Sequence, residues 1–156
     1  MKPRIICNTG PLIALSLIDC QYVLSCLYDP LIPSKVIEEW ADGEDSHPRT
    51  LPKSFEIVDV TVANPFLTLQ LDAGEASVIQ AAIDYKVGMV LIDERKGRKL
   101  ARRLCGLVTL GTAGLLVQAK RAGILDEVTP LFEKLKAASY WISPTITNWA
   151  IQQAGE

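Results

Sequence analysis

The chain has 156 residues, of which 49% are hydrophobic and 22% charged, so a globular protein with a sizeable core is expected and a disordered chain is excluded. Its net charge of -2 excludes a globally basic nucleic-acid binder but leaves room for a local basic patch. Because no apolar run reaches the length of a membrane span and no signal peptide precedes the first strand, we expect one cytoplasmic domain over residues 1–156 without a membrane segment.

Short apolar strands alternate with helical patterns along the chain. Strands are predicted at residues 4–7, 31–32, 55–60, 90–92 and 107–110, with the third at an edge of the sheet. Helices are predicted from Pro11, at 21–27, from an N-cap at Ser34, from 72 to about 86, after Asp93, at 115–122, from a cap at Asp126 to about 138, and at 145–153. This alternation predicts a three-layer α/β/α sandwich with a mostly parallel central sheet.

Polar side chains are predicted to meet at one edge of this sheet. Asn8 and Asp93 each follow a strand, so both lie at the carboxyl edge, where sites form in open α/β sheets. Helices of right-handed βαβ units start at the same edge, which brings Glu38 and Glu75 there in early helical turns. Glu75 also falls on the buried stripe of its helix. The apolar residues predicted on that stripe are Val78, Ile79, Ala82 and Ile83.

Several carboxylates in one crevice would repel one another, and some would stay protonated. A divalent cation removes this conflict, and hard oxygen ligands suit Mg²⁺ or Mn²⁺. The helix after Asp93 adds positive charge around an apolar stripe of Leu100, Ala101 and Leu104. Its six basic residues are Arg95, Lys96, Arg98, Lys99, Arg102 and Arg103.

Each of these residues also has a purely structural interpretation. Asp93 could cap the following helix, and Glu75 could complement the helix dipole. Glu38 could be a solvated acid, with Glu39 competing for its role, and the basic helix could be a solvated face. Asn8 and Thr9 could form an Asx-type turn.

Other kinds of chemistry have weaker support. The glycine-rich stretch 110–114 lacks the lysine of a phosphate-binding loop. His47, the only histidine, falls in a predicted surface loop at 41–52, which argues against a Ser-His or Cys-His nucleophile. The cysteines are interpreted as reduced core thiols of a cytosolic protein. They are Cys7, Cys20, Cys26 and Cys105.

Five motifs follow one another along the chain. They are Cys-Asn-Thr-Gly-Pro-Leu-Ile (7–13), Ile-Pro-Ser-Lys-Val-Ile-Glu-Glu (32–39), Leu-Asp-Ala-Gly-Glu-Ala (71–76), Leu-Ile-Asp-Glu-Arg-Lys-Gly-Arg (91–98) and Gly-Thr-Ala-Gly (111–114). Taken in this order, they resemble the PIN-domain superfamily. The likeness extends over nearly the whole chain and looks closest to small prokaryotic PIN proteins encoded beside an antitoxin.

The resemblance implies a Mg²⁺- or Mn²⁺-dependent ribonuclease that cleaves RNA phosphodiesters, such as the toxin of a toxin-antitoxin pair. It implies metal ligands at Asn8, Glu75 and Asp93 and catalytic roles for Glu38, Glu75 and Asp93. Asn8 departs from the family, which usually has Asp there. The implied partners are RNA, an antitoxin protein and a second copy in a homodimer. Expected contacts to RNA are Thr9, Arg95, Arg98, Lys99 and Thr112.

Two other functions stay open. The first is a catalytically weak or inactive PIN-like module that binds RNA or a protein partner, because Asn8 removes one anionic ligand. The second is a phosphoacceptor domain of the receiver type that uses Asp93, although such a domain would have an acidic pair where Asn8 and Thr9 stand.

Overall fold

In the described part of the chain, a parallel β-sheet of five strands forms the centre, in the order β3-β2-β1-β4-β5. The computed structural model describes residues 1–42 and 50–156. The strands are β1 (Arg4–Cys7), β2 (Asp29–Pro33), β3 (Glu56–Val58), β4 (Met89–Leu91) and β5 (Val108–Leu110). Every pairing is parallel, so the predicted α/β class is confirmed and "mostly parallel" becomes all-parallel. The third strand lies at an edge, as predicted.

Helices cover both faces of the sheet. They are α1 (Thr9–Leu17), α2 (Gln21–Leu27), α3 (Ser34–Asp42), α4 (Pro65–Gln70), α5 (Ala73–Asp84), α6 (Arg95–Cys105), α7 (Thr112–Arg121), α8 (Thr129–Ala137) and α9 (Pro144–Gln153). Helix α1 contacts α2, α7 and α8, and α7 also contacts α9, whereas α5 contacts α4 and α6. Helix α3 contacts both α1 and α5.

The direction of the chain across the sheet explains this division. From β1 to β3 the chain moves one way, and from β3 through β4 to β5 it moves the other way. Right-handed crossovers therefore place α1 and α2 on one face and α5 and α6 on the opposite face. The order reverses between β1 and β4, and this reversal is where ligands bind in open α/β sheets.

The two strands at this switch point are buried in the core. Ile5, Ile6, Val90 and Leu91 are all fully buried, because helices cover both sides of the strands. Such strands are continuously apolar rather than alternating. The core therefore holds the residues that immediately follow β1 and β4 in fixed positions.

Several element boundaries differ from the predictions. Helix α1 begins at Thr9 after Asn8 as N-cap, so Pro11 is its third residue and not its first. The N-cap residue of α8 is Val128, not Asp126. The backbone N–H groups of Val128 and Thr129 instead donate to the side chain of Glu156. Helix α4, which begins at Pro65, was not among the predicted helices.

Two predicted core positions are exposed, since Ile83 of α5 and Leu104 of α6 both face solvent. The predicted loop at 41–52 overlaps the end of α3 by two residues, and its central part, including His47, lies outside the described residues. In the described part of the chain, no single helix is long and apolar enough to cross a membrane. Helices α1 and α2 meet that test only as a pair bent by 118°.

Candidate active site at the carboxyl edge of the sheet

Asn8 lies directly at the switch point of the sheet. Its backbone N–H donates to the carbonyl of Leu91 at 3.0 Å, which continues the pairing of β1 with β4. Its side chain is only 6% exposed, and its amide Oδ1 has no hydrogen-bond partner among the described residues. A buried acceptor without a partner is costly. This oxygen is therefore available to a ligand.

Asp93 follows β4, and its carboxylate is held by Thr112 at the start of α7 and by Tyr140 after α8. Its Oδ1 accepts from the backbone N–H of Thr112 at 2.7 Å, and its Oδ2 accepts from the Thr112 hydroxyl at 2.6 Å. The hydroxyl of Tyr140 also donates to Oδ2. Asp93 therefore caps the start of α7, and the interpretation of Asp93 as a cap of α6 is not realised, because Glu94 is the N-cap residue there.

Tyr140 remains a hydrogen-bond donor in this arrangement. Burial, followed by the charge of the neighbouring Asp93 carboxylate, raises the pKa of Tyr140 well above its usual value. With Tyr140 and Thr112 both donating, Oδ2 of Asp93 has two partners and Oδ1 has one. Asp93 is consequently fixed in orientation, and its least occupied lone pair is on Oδ1.

Glu75 is the most perturbed acid of the site. It lies in the first turn of α5 and is only 7% exposed, as the helical periodicity predicted. Burial, together with repulsion from Asp72, Glu94 and Glu39, raises its pKa to about 7. Burial and the predicted repulsion between carboxylates thus both favour the protonated form of Glu75 when no cation is bound.

Glu39, not Glu38, faces this group of acids. Its Oε2 accepts a hydrogen bond from the Thr9 hydroxyl at 2.7 Å. A Cβ added to Gly74 would clash with the same oxygen, so the absence of a side chain at Gly74 lets the carboxylate of Glu39 approach the start of α5 this closely. Glu38 points to solvent with 62% of its side chain exposed and pairs with Lys35 at 3.1 Å.

The predicted RNA-contacting residues divide into two groups. Thr112 is fully buried and its hydroxyl holds Asp93, while the Thr9 hydroxyl holds Glu39. These two threonines therefore position acids, and their predicted contacts to RNA stay predictions. Arg98 is half-buried, and its Nη1 lies 3.4 Å from the point where a Cβ on Gly111 would stand, a point only 3.0 Å from Asp93 Oδ1.

The other basic side chains of α6 form an exposed positive surface. A surface cavity of about 400 Å³ is lined by Arg95, Lys99, Arg102 and Arg103. Residues three or four positions apart share one face of a helix, which explains why these four side chains are neighbours. Because α6 begins directly after Glu94, this basic surface starts next to the acidic crevice.

The oxygen donors fit a hard divalent cation by their chemistry, although they are not gathered around a single point. Across the described ranges 1–42 and 50–156, no three Cys, His, Asp or Glu side chains are grouped closely enough to hold a metal ion. The prediction that Glu38, Glu75 and Asp93 converge within the reach of one ion is therefore corrected. The unpartnered amide oxygen of Asn8 and the uncompensated charge around Glu75 still match what such a cation would satisfy.

The fold and the site together define an α/β protein with acidic side chains and an amide at the carboxyl edge of a parallel sheet. Residues 4–156 match the PIN domain family described as DUF3368, and the chain belongs to this PIN domain family. No curated protein matches the sequence. Family membership argues against a receiver-type phosphoacceptor, while the toxin-antitoxin branch remains a prediction.

Some residues of the site were missed or left open by the sequence. Glu39 had been named only as a competitor of Glu38, and Asp72 and Glu94 had no predicted role. Tyr140 had none either, because 47 positions separate it from Asp93 in the chain. No local pattern marks such a contact. By contrast, the position of Asp72 three residues before Glu75 is a recognisable N-cap signal, and its side chain accepts from the Glu75 N–H.

Proposed function

We propose that this protein is a divalent-cation-dependent nuclease that hydrolyses phosphodiester bonds in RNA. The observation that carries the proposal is the buried carboxylate of Glu75, whose pKa is raised to about 7 by burial and by the surrounding acids. A carboxyl group that is buried among other acids would be stabilised in its charged form by a nearby cation. PIN domains typically bind divalent cations, and such an ion would supply that stabilisation.

The candidate donors for the ion along this edge are Asn8, Glu75 and Asp93, with Glu39 in the role that the sequence had assigned to Glu38. Because no three of the described acids are grouped around one point, a single ion would be held by only part of this set. A bound Mg²⁺ or Mn²⁺ would provide an activated water and would stabilise negative charge on the phosphate. Asn8 contributes a neutral oxygen, because it is an amide. Asp93 contributes through Oδ1, because Oδ2 already accepts two hydrogen bonds.

The remaining residues orient these donors and attract the substrate. Thr112 and Tyr140 fix Asp93, and Thr9 fixes Glu39. Nη1 of Arg98 and Oδ1 of Asp93 lie 3.4 Å and 3.0 Å from the same point beside Gly111. The guanidinium of Arg98 would therefore bind a phosphate oxygen next to Asp93. The exposed basic surface of α6 attracts the RNA backbone without reading its sequence.

A second candidate function is a catalytically weak PIN module that binds RNA or a protein. Two observations favour it: Asn8 removes one negative charge, and three hydrogen bonds already engage Asp93. Both features weaken affinity for a cation. This candidate predicts RNA binding that does not depend on divalent cations and is not followed by cleavage.

The test is cleavage of a generic single-stranded RNA with and without Mn²⁺, for the wild type and for Asp93→Asn. Under the nuclease proposal, cleavage requires Mn²⁺ and is lost in Asp93→Asn. Glu38→Gln is the matched control, because Glu38 is exposed and paired with Lys35, and it should cleave like the wild type. Cleavage that persists without Mn²⁺ or in Asp93→Asn, or no cleavage at any Mn²⁺ concentration, would refute the proposal.

From the resemblance to small prokaryotic PIN proteins, we further propose that the protein acts in the cytoplasm. It would be a homodimeric toxin that a co-encoded antitoxin protein neutralises. Induced expression should then arrest growth of a bacterial host, and Asp93→Asn should relieve the arrest. Growth that is unaffected by a soluble, Mn²⁺-active protein would refute the toxin role while leaving the nuclease activity intact.

A further inference from the structure

The carboxylate of Asp93 has little free capacity for a further ligand. An ionised carboxylate offers about four lone-pair positions, shared equally by its two oxygens. Both positions on Oδ2 are taken, by the hydroxyl of Thr112 at 2.6 Å and by the hydroxyl of Tyr140. The backbone N–H of Thr112 takes one position on Oδ1 at 2.7 Å. No other described residue donates a hydrogen bond to Asp93, so one lone pair on Oδ1 is left for a cation.

The turn that ends α8 fixes the backbone of Tyr140. Ser139 has a φ of 63°, the left-handed conformation that closes a helix, and the backbone N–H of Tyr140 donates to the carbonyl of Leu135 at 2.9 Å. At the other end of the side chain, the Tyr140 hydroxyl lies 3.2 Å from the point where a Cβ on Gly10 would stand, in the first turn of α1. The hydroxyl is thus placed beside α1 and directed at Asp93.

Divalent cations differ in how they use a carboxylate. Ca²⁺ takes a large and flexible set of oxygens and often binds both oxygens of one carboxylate, whereas Mg²⁺ requires a small octahedral set and keeps several of its waters. Mn²⁺ shares the octahedral oxygen coordination of Mg²⁺. A carboxylate that has a single free lone pair can supply one oxygen to such an octahedral ion, but it cannot bind Ca²⁺ with both oxygens.

We propose that Tyr140 determines the ion selectivity of the site: together with Thr112 it closes Oδ2 of Asp93, and the site therefore prefers Mg²⁺ and Mn²⁺ over Ca²⁺. Tyr140 is a positioning residue, because it acts through Asp93 and touches neither the cation nor the substrate. The inference rests on the proposed function for the presence of a cation at Asp93. It does not depend on which of the other donors complete the coordination of that cation.

The experiment measures the affinities of Mn²⁺ and of Ca²⁺ by calorimetry, for the wild type and for Tyr140→Phe. Displacement of Mn²⁺ by Ca²⁺, followed through the EPR signal of free Mn²⁺, gives the ratio of the two affinities independently. Loss of a hydrogen bond that orients a metal ligand typically costs roughly 10- to 100-fold in affinity, and we expect this loss for Mn²⁺. Ca²⁺ gains access to Oδ2 of Asp93, so its affinity should fall much less. The preference for Mn²⁺ over Ca²⁺ should therefore drop by roughly tenfold.

Tyr28→Phe is the matched control within the same chain. Tyr28 is buried, and its hydroxyl donates to Oε1 of Gln118 at 2.6 Å. Gln118 lies six residues after Thr112 in α7, which is about 9 Å further along the helix. The substitution thus removes the same hydroxyl from a hydrogen bond that does not involve Asp93, and it should keep the wild-type ratio of Mn²⁺ and Ca²⁺ affinities.

Thr112→Val provides a second variant, because it removes the other hydroxyl from Oδ2 of Asp93 and leaves the backbone N–H of residue 112 in place. It should also lower the preference for Mn²⁺ over Ca²⁺. If circular dichroism shows that Tyr140→Phe does not fold, Thr112→Val decides, and an unchanged ratio in that variant overturns the inference.

Equal changes in the Mn²⁺ and Ca²⁺ affinities of Tyr140→Phe, or no change in either, would overturn the inference. So would a wild type that binds Ca²⁺ as tightly as Mn²⁺, or a Tyr28→Phe protein whose ratio falls as far as that of Tyr140→Phe. The nuclease proposal fails separately: a wild type that prefers Mn²⁺ and loses this preference in Tyr140→Phe, but never cleaves RNA, retains the selective cation site and lacks the activity.

Discussion

Replacing Glu75 with glutamine should stabilise the cation-free protein at alkaline pH. The pKa of Glu75 is raised from 4.5 to about 7, so the folded state binds its proton more tightly than the unfolded state does. Stability is therefore lost as the pH rises from 4.5 to 7, and above that range the ionised carboxylate destabilises the fold. A glutamine side chain has the same shape without this charge. A difference of 1 between the pKa values of the folded and unfolded states corresponds to about 1.4 kcal/mol. The gain in unfolding free energy at pH 8 should therefore be about 1–3 kcal/mol.

Urea unfolding in EDTA at pH 5 and pH 8 measures this effect. Glu75→Gln should exceed the wild type in unfolding free energy at pH 8, and the excess should shrink toward pH 5. Glu38→Gln should change stability by less than about 1 kcal/mol at both pH values, because it removes only an exposed ion pair with Lys35. Added Mn²⁺ should stabilise the wild type but not Glu75→Gln. A Glu75→Gln protein that is less stable than the wild type at pH 8 would refute the reasoning.

Three further predictions address the metal, the glycine contact and the basic surface. Asn8→Asp should tighten Mn²⁺ binding roughly ten- to hundredfold by calorimetry, because the buried amide oxygen becomes a carboxylate; unchanged affinity would mean that Asn8 is not a ligand. Gly74→Ala should displace the Glu39 carboxylate and lower the rate of Mn²⁺-dependent cleavage by a larger factor than it lowers the fraction of folded protein. A cleavage rate that falls only in proportion to the folded fraction would indicate a folding defect alone. Arg95→Glu and Lys99→Glu should each weaken RNA binding and reduce its salt dependence by about one unit of logarithmic slope; a slope that stays the same would show that the basic surface does not contact phosphates.

The sequence by itself determined the α/β class and most of the elements of this protein. Apolar runs marked the strands, and helical periodicity placed Glu75 on the buried side of α5. The positions of Asn8 and Asp93 at strand ends also followed from the sequence, because the carboxyl ends of parallel strands meet at one edge. These features depend on patterns within a few residues or on a general rule of topology.

Only the tertiary structure decided which side chains meet. Consecutive residues on a helix point about 100° apart, so the packing of α3 against α1 and α5 selected Glu39 over Glu38. Packing likewise left Leu104 and Ile83 in solvent. The contact of Tyr140 with Asp93 joins segments that are remote in the chain, and such a contact exists only after the sheet and the surrounding helices have assembled.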